Sequence, residues 1–300
     1  LSFTWNLLWM YIFLELTTLS SAMLVIHERQ TRSFEAALKY VFQCSLAGLM
    51  ALIGIFVVYL QTSTLDLSGL TTVSGWTGML ATSLVLTGFG IKIPCAFLHT
   101  WLPDAHAEAP SPTSCLLSVA MIEVGAIVTF LPLFKIIPLT ASLGYSNLLL
   151  GWLGAVTMVV GAFMMLIQSD MKRLLGYSSV SQMGYVVVGL SLGTPLGVVA
   201  SLFHTWNHSL FKGLLFLDAG SVEHATRTRN LDDMGGLAKL MPATTFTMVV
   251  GSFAASGVPL FNGFSSKWMI YEACIQANQP LLAIIGIFVS AWTLIAFMKV

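Results

Sequence analysis

The sequence predicts an all-α polytopic membrane protein, and three observations carry that prediction. Of 300 residues, 56% are hydrophobic and only 9% are charged; an ordinary soluble domain has about 25% charged residues, so this chain cannot dress a water-facing surface. The apolar residues form continuous runs of about 20, the length at which a helix crosses a hydrocarbon core of roughly 30 Å, whereas barrel strands would alternate over about ten residues. The basic residues between the runs fall almost entirely in alternate loops. A net charge of zero excludes a nucleic-acid partner, because such affinity rests on many Lys and Arg contacts to phosphate. The partner implied is the lipid bilayer.

In chain order the runs predict nine spans: 1–26, 36–60, 76–97, 114–137, 148–168, 175–192, 195–217, 241–271 and 281–300. The first opens at Leu1 inside an apolar stretch, with no basic leader or small-residue cleavage site, so a piece of a longer chain is expected rather than a signal peptide. The odd-numbered loops hold Arg29, Arg32, Lys39, Lys172, Arg173, Arg227, Arg229 and Lys239, and the even-numbered loops hold only Lys135. Basic residues accumulate on the cytoplasmic side. That places the start of the chain outside and Lys299 in the cytoplasm, or in the inner compartment of an organelle. Cys44, Cys95, Cys115 and Cys274 form no C-x-x-C pair. They read as small packing residues rather than disulfides, a zinc site or cluster ligands.

Ionisable groups inside spans are the candidates for function: Glu15, Lys92, Glu123, His204, His208, Lys212 and Lys267. A charge at a helix centre costs roughly 2.5–3.5 kcal/mol on insertion scales, so several in one bundle are hard to explain by packing. Lys92 lies in GFGIKIP, two residues before Pro94, and Lys267 follows Gly257, Pro259 and Gly263 in SGVPLFNGFSSK. These residues predict helix breaks, and broken backbone at membrane depth survives only when enclosed in protein or lining water. Span three and span eight stand five apart, and an odd offset inverts the second relative to the first. Two inverted five-helix repeats follow, 1–137 and 138–300, each with a discontinuous helix; ten helices would place one span ahead of Leu1.

The seventh span places His204, His208 and Lys212 at i, i+4 and i+8, one stripe facing the bundle interior. Histidine titrates near neutrality, so the stripe suits proton passage. Haem ligation and carbonyl-satisfied core histidines are the alternatives. His99, Asp104, His106 and Glu108 in HTWLPDAHAEAPSP match no helix-borne metal motif, and a hydrogen-bonded turn is expected there. No dinucleotide or phosphate-binding motif occurs; the chain itself is expected to bind no cofactor and no metal.

Four long stretches, GIKIPCAFLHTWLPDAHAEAPSPTS, SDMKRLLGYSSVSQMGY, FHTWNHSLFKGLLFLDAGSVEHATRTRNLDDMGGLAKLMP and SGVPLFNGFSSKWMIYEA, resemble the antiporter-like subunits of proton-translocating NADH:quinone oxidoreductase (complex I). The same family includes the large membrane subunits of energy-converting hydrogenases and of multisubunit cation/proton antiporters. FNGFSSKWMIYEA looks nearest to the hydrogenase branch. The resemblance implies a mid-membrane axis of charge, with Glu15 as the family's glutamate, Lys92 and Lys267 as the ionisable residues of the two broken helices, and the His204–His208–Lys212 ladder between them. Glu123 departs from the pattern, since many complex I members carry a lysine there. On this resemblance Glu15 pairs with Lys92, and the chain moves protons, or sodium, as one subunit of a redox-driven complex. Its partners are then other membrane subunits and a soluble redox arm, which hold iron–sulfur clusters and a flavin or nickel–iron centre, and its place is a bacterial or archaeal plasma membrane, or an organelle inner membrane. A cation/proton antiporter subunit without redox partners and a free-standing secondary transporter are the rival readings.

Overall fold

The structure is a computed structural model, and it describes residues 4–71, 75–126 and 144–300. The regular elements among them are helices: α1 Leu7–Val25, α2 Thr31–Thr62, α3 Gly75–Gly90, α4 Trp101–Glu108, α5 Ser111–Ala126, α6 Gly144–Ile167, α7 Met171–Ser191, α8 Pro195–Thr226, α9 Pro242–Ser256, α10 Asn262–Gln276 and α11 Pro280–Phe297. The fourth expected span is followed only to Ala126. Its remainder, Lys135 and the expected repeat boundary at 137/138 lie outside the described residues.

The bundle is inside-out relative to a water-soluble one. On α2, Leu38, Phe42, Leu46, Leu49, Ile53, Phe56 and Leu60 are exposed, while Ala37, Tyr40, Cys44, Ala47, Gly48 and Ala51 are buried. Small residues inside let helices approach closely, and large apolar residues outside meet a solvent as apolar as they are. Among the described residues, four segments are long and apolar enough to cross a membrane: Leu7–Glu28, Thr31–Thr62, Leu148–Ile167 and Pro280–Phe297. Helix α7 fails that test for a physical reason. All its residues except Arg173 and Tyr177 are buried, so protein rather than lipid surrounds it and polar side chains such as Ser179 and Gln182 are tolerated.

Both expected breaks are present, with corrections. The third span is helical only to Gly90; the chain then runs without a helix from 91 to 100, carrying Lys92 and Pro94, before α4 begins. The stretch expected to be a turn, HTWLPDAHAEAPSP, instead forms α4 and the start of α5. Pro103 stands in the first turn of α4 and Pro112 in the first turn of α5, where a missing N–H costs nothing. The second break spans 257–261, between α9 and α10, with Gly257 at φ +76° and Pro259 inside it. Gly263 is not in the gap but in the first turn of α10. A Cβ there would lie 1.8 Å from the Ala254 carbonyl oxygen, so glycine lets the two half-helices meet.

A clasp of identical design occurs twice. Asn6 caps α1 and bridges Asp66, which follows α2; Asp170 caps α7 and bridges Asn230, which follows α8. Ser63 and Arg227 end α2 and α8 in the left-handed conformation, and the Thr62–Thr64 hydroxyl turn recurs at Thr226–Thr228. Both long helices have 32 residues. One constant offset relates every pair. The two clasps lie at opposite ends of the bundle: Asn6 meets the far end of α2, whereas Asp170 sits beside Arg229, which also reaches Glu108 of α4, and Asp104 of α4 joins Lys39 at the near end of α2.

Candidate functional site

The site is built around α8, whose three interior residues point to three different places. His208 Nδ1 hydrogen-bonds Glu123 Oε1 of α5. His204 lies one turn earlier, with Nε2 3.2 Å from Gln182 Oε1 of α7 and Nδ1 2.9 Å from Ser266 Oγ of α10. Lys212, one turn later, donates to the Leu175 carbonyl of α7 at 2.7 Å. The ladder is therefore a distributor rather than a single-file wire. All three side chains are fully buried, and Glu123 nearly so.

Glu123 follows a single π turn at Leu117–Met121, a local widening that interrupts the regular α register of α5 just before it. Its Oε2 and the Nε2 of His208 are buried without a protein hydrogen-bond partner. Gln182 Nε2 and both ring nitrogens of His106 share that condition. Buried polar atoms demand partners, and water can serve them. His106 was not among the sequence candidates; it stacks on Phe216 of α8, one turn beyond Lys212, with ring centroids 4.5 Å apart.

The broken-helix lysines are held by neutral oxygens. Lys267 donates to the Ala255 carbonyl at 2.9 Å, near the end of α9, and to Ser290 Oγ at 3.1 Å, with its ammonium 4.5 Å from the Tyr185 ring centroid. Lys92 donates to the Tyr40 hydroxyl at 3.0 Å and lies 4.6 Å from that ring's centroid. Glu15 and Lys92 face each other's charge without a direct salt bridge. Glu15 rests instead against Gly48 of α2, where a Cβ would fall 2.1 Å from its Oε1, while Lys92 turns to Tyr40. The two remain close enough to sense each other's charge, separated along one stripe of α2: Tyr40, Cys44 and Gly48.

That stripe was missed in the sequence. It stands at the offset positions of His204, His208 and Lys212, a signal visible only once the repeat is aligned, because Tyr, Cys and Gly differ in residue type from His, His and Lys.

At one end of the bundle a set of charges pairs off: Arg173 with Asp104 at 2.8 Å, Lys172 with Glu223 at 2.8 Å and Arg229 with Asp170 at 3.3 Å. These residues come from odd-numbered loops or their flanks, the grouping expected from the loop charges. His99 meets the edge of Tyr177, Asp104 joins Lys39 and Arg173, and Glu108 meets Arg229. Among the described residues no three His, Cys, Asp or Glu side chains converge as metal ligands. The four cysteines lie on separate segments, Cys44 on α2, Cys95 in the first break, Cys115 on α5 and Cys274 on α10.

A sequence model of the family described as "NADH:quinone oxidoreductase/Mrp antiporter, TM" matches residues 4–293. An uncharacterized protein of Methanocaldococcus jannaschii is 37% identical over 297 residues, covering 97% of this chain and 60% of that protein. NADH-quinone oxidoreductase subunit N of Desulforudis audaxviator is 32% identical, covering 99% of this chain and 60% of its own length. Among solved structures, a chain of the Mrp complex from Dietzia sp. DQ12-45-1b superposes with a TM-score of 0.93 at 25% identity, over 98% of this chain and 56% of that one. A chain of the membrane-bound sulfane sulfur reductase, an archaeal respiratory membrane complex, does so with a TM-score of 0.90 at 26% identity, over 98% of this chain and 61% of that one. The present chain thus spans about 60% of the relatives' length. By the extent of these matches, the chain is an integral membrane protein that belongs to the NADH:quinone oxidoreductase/Mrp antiporter family.

Proposed function

We propose that this chain is a proton-translocating, antiporter-like membrane subunit of a redox-driven assembly of the NADH-quinone oxidoreductase or energy-converting hydrogenase type. The observation that carries the reading is a set of three buried lysines, Lys92, Lys212 and Lys267, each held by neutral oxygens and spaced by titratable groups that reach from one half of the bundle into the other. Burying ammonium groups is costly, and packing alone gives no return for it. The clasps at opposite ends support two inverted repeats, with the boundary near 137/138, and inverted halves with discontinuous helices place an ion path at the midplane.

In this reading a proton on Lys92 moves through bridging water to Glu123. The carboxyl shares it with His208, and α8 passes it to His204 and on to Lys267. Glu15 acts from the Gly48 face of α2: its charge steadies the Lys92 ammonium, and its withdrawal by a neighbouring subunit releases the proton. Iron–sulfur clusters and a flavin or nickel–iron centre belong to partner subunits, the soluble redox arm among them, and the assembly sits in a bacterial or archaeal plasma membrane. The close superposition on a chain of an Mrp complex supports a second reading, a cation/proton antiporter subunit without redox partners, in which sodium is exchanged for protons. Co-purification of redox-centre subunits favours the first reading and their absence from a stable complex favours the second.

The test is proton flux in proteoliposomes holding the intact assembly. Lys92→Ala and Lys267→Ala should each lower flux by about 100-fold, the effect of removing a positioned proton carrier. Undiminished flux in both would overturn the proposed path.

A further inference from the structure

Lys92 has an oxygen partner that the path above does not use, and that partner has one of its own. The Tyr40 hydroxyl accepts from Lys92 Nζ at 3.0 Å and stands 2.8 Å from Ser21 Oγ of α1. Both residues are buried. Tyr40 is fixed by stacking on Trp101 of α4, with ring centroids 4.7 Å apart, and Trp101 Nε1 donates to the Ile91 carbonyl beside Lys92. Beyond Ser21, α1 ends at Val25 and a 3-10 turn leads to Glu28, which with Gln30, Ser33, Glu108 and Lys172 lines a polar cavity of about 880 Å³ at the charged end of the bundle.

The second half supplies an independent observation. At the offset relating the two clasps, Ser21 and Tyr40 correspond to Tyr185 and His204. That pair is also in contact, with ring centroids 5.6 Å apart, and Tyr185 lies under the ammonium of Lys267. In each half the matched pair adjoins the lysine of the broken helix through one member, Tyr40 of α2 against Lys92 and Tyr185 of α7, the counterpart of Ser21, against Lys267. Both times they carry groups that donate and accept protons, although the residue types differ. Packing alone would not select phenol with serine in one half and imidazole with phenol in the other.

We infer that Ser21 and Tyr40 form the hydroxyl relay that reloads Lys92 with a proton drawn from water at the charged end of the bundle. The inference rests on the lysine path proposed above and adds where its first lysine is filled. When Lys92 has passed its proton on, its amine lone pair takes the Tyr40 hydroxyl proton. An N–H bond forms as that O–H bond breaks, Tyr40 oxygen takes the proton of Ser21, and Ser21 takes one from water, whose own loss is made good from the cavity. Each hydroxyl ends as it began, and the net change is one proton gained by Lys92.

Proton flux by the reconstituted assembly tests this with four variants. Tyr40→Phe keeps the ring stacked on Trp101 and under the Lys92 ammonium but removes the hydroxyl, so flux should fall about tenfold or more. The deficit should widen as pH rises, because direct supply by hydronium fails first, and the solvent deuterium isotope effect should change. Ser21→Ala should show the same pH-dependent deficit, and Tyr40→His, which installs the residue of the matching position, should restore part of the flux. A Tyr40→Phe protein with wild-type flux and pH profile, in a system where Lys92→Ala blocks flux, overturns the relay and leaves the lysine path standing. A pH-independent loss in Tyr40→Phe that His does not rescue overturns it in favour of a purely packing role. Wild-type flux in Lys92→Ala overturns the lysine path itself.

Discussion

Glu123 shows how a single residue changes the chemistry of a shared position. At the position where the resemblance to complex I subunits leads one to expect a lysine, this chain has a carboxyl hydrogen-bonded to His208, so the position joins α5 to α8 through an acid and an imidazole. Glu123→Gln keeps an oxygen for His208 but cannot carry the proton; flux should fall about 100-fold with normal accumulation of the protein. Glu123→Lys would leave a cation facing His208 Nδ1 and should fail as completely; unchanged flux in it would show that the sign of this charge is immaterial. Gly48 is the complementary case. A methyl group there meets the flexible end of Glu15 rather than backbone, so Gly48→Ala should fold normally yet displace the carboxyl and lower flux roughly tenfold, in line with the cost of misplacing a reacting group. Intramembrane charges are legible in a sequence because their cost is paid against lipid. Their partners are not: Tyr40, Gln182, Ser266 and Ser290 are ordinary residues, singled out only by where other helices put them.

The broken helices are the elements on which the account depends. Their glycines and prolines announced the gaps, but the sequence could not say where each half resumes. Pro103 looked like a breaker in HTWLPDAHAEAPSP, whereas in a first turn it is neutral, and α4 forms around it. Gly263 looked like part of the second gap, whereas it lies inside α10, against the Ala254 carbonyl. Because that obstacle is rigid backbone, Gly263→Ala should destabilise the protein by about 3 kcal/mol, seen as a lowered thermal midpoint of the purified assembly and reduced accumulation. An unchanged midpoint would mean that the half-helices need no such close approach. Helix α7 teaches the opposite lesson. Its serines and Gln182 look too polar for a span, and they are accommodated because other helices enclose nearly its whole surface.

For the whole molecule, the scarcity of charge is the organising fact. Lys39, Lys172, Arg173 and Arg229 pair with acids at one end of the bundle, the side to which the loop charges assign them, and Lys92, Lys212 and Lys267 lie buried in the interior. Cysteines introduced singly at Arg29, Arg227 and Lys239 should therefore all react with an impermeant thiol reagent from the same side of the membrane, and one introduced at Asp66, in the opposite clasp, should react from the other. The spacing of Lys92 and Lys267 pointed to two halves. The recurrent clasp was not, because Asn6 with Asp66 and Asp170 with Asn230 match in geometry and only loosely in residue type. What unites the halves is the contact between Glu123 and His208, so the most direct measurement is proton flux through the reconstituted assembly with that joint cut by Glu123→Gln and His208→Phe together, while Lys92, Lys212 and Lys267 are retained. The account predicts flux reduced to background with the complex still assembled; flux at the wild-type rate would contradict a single path running through both halves.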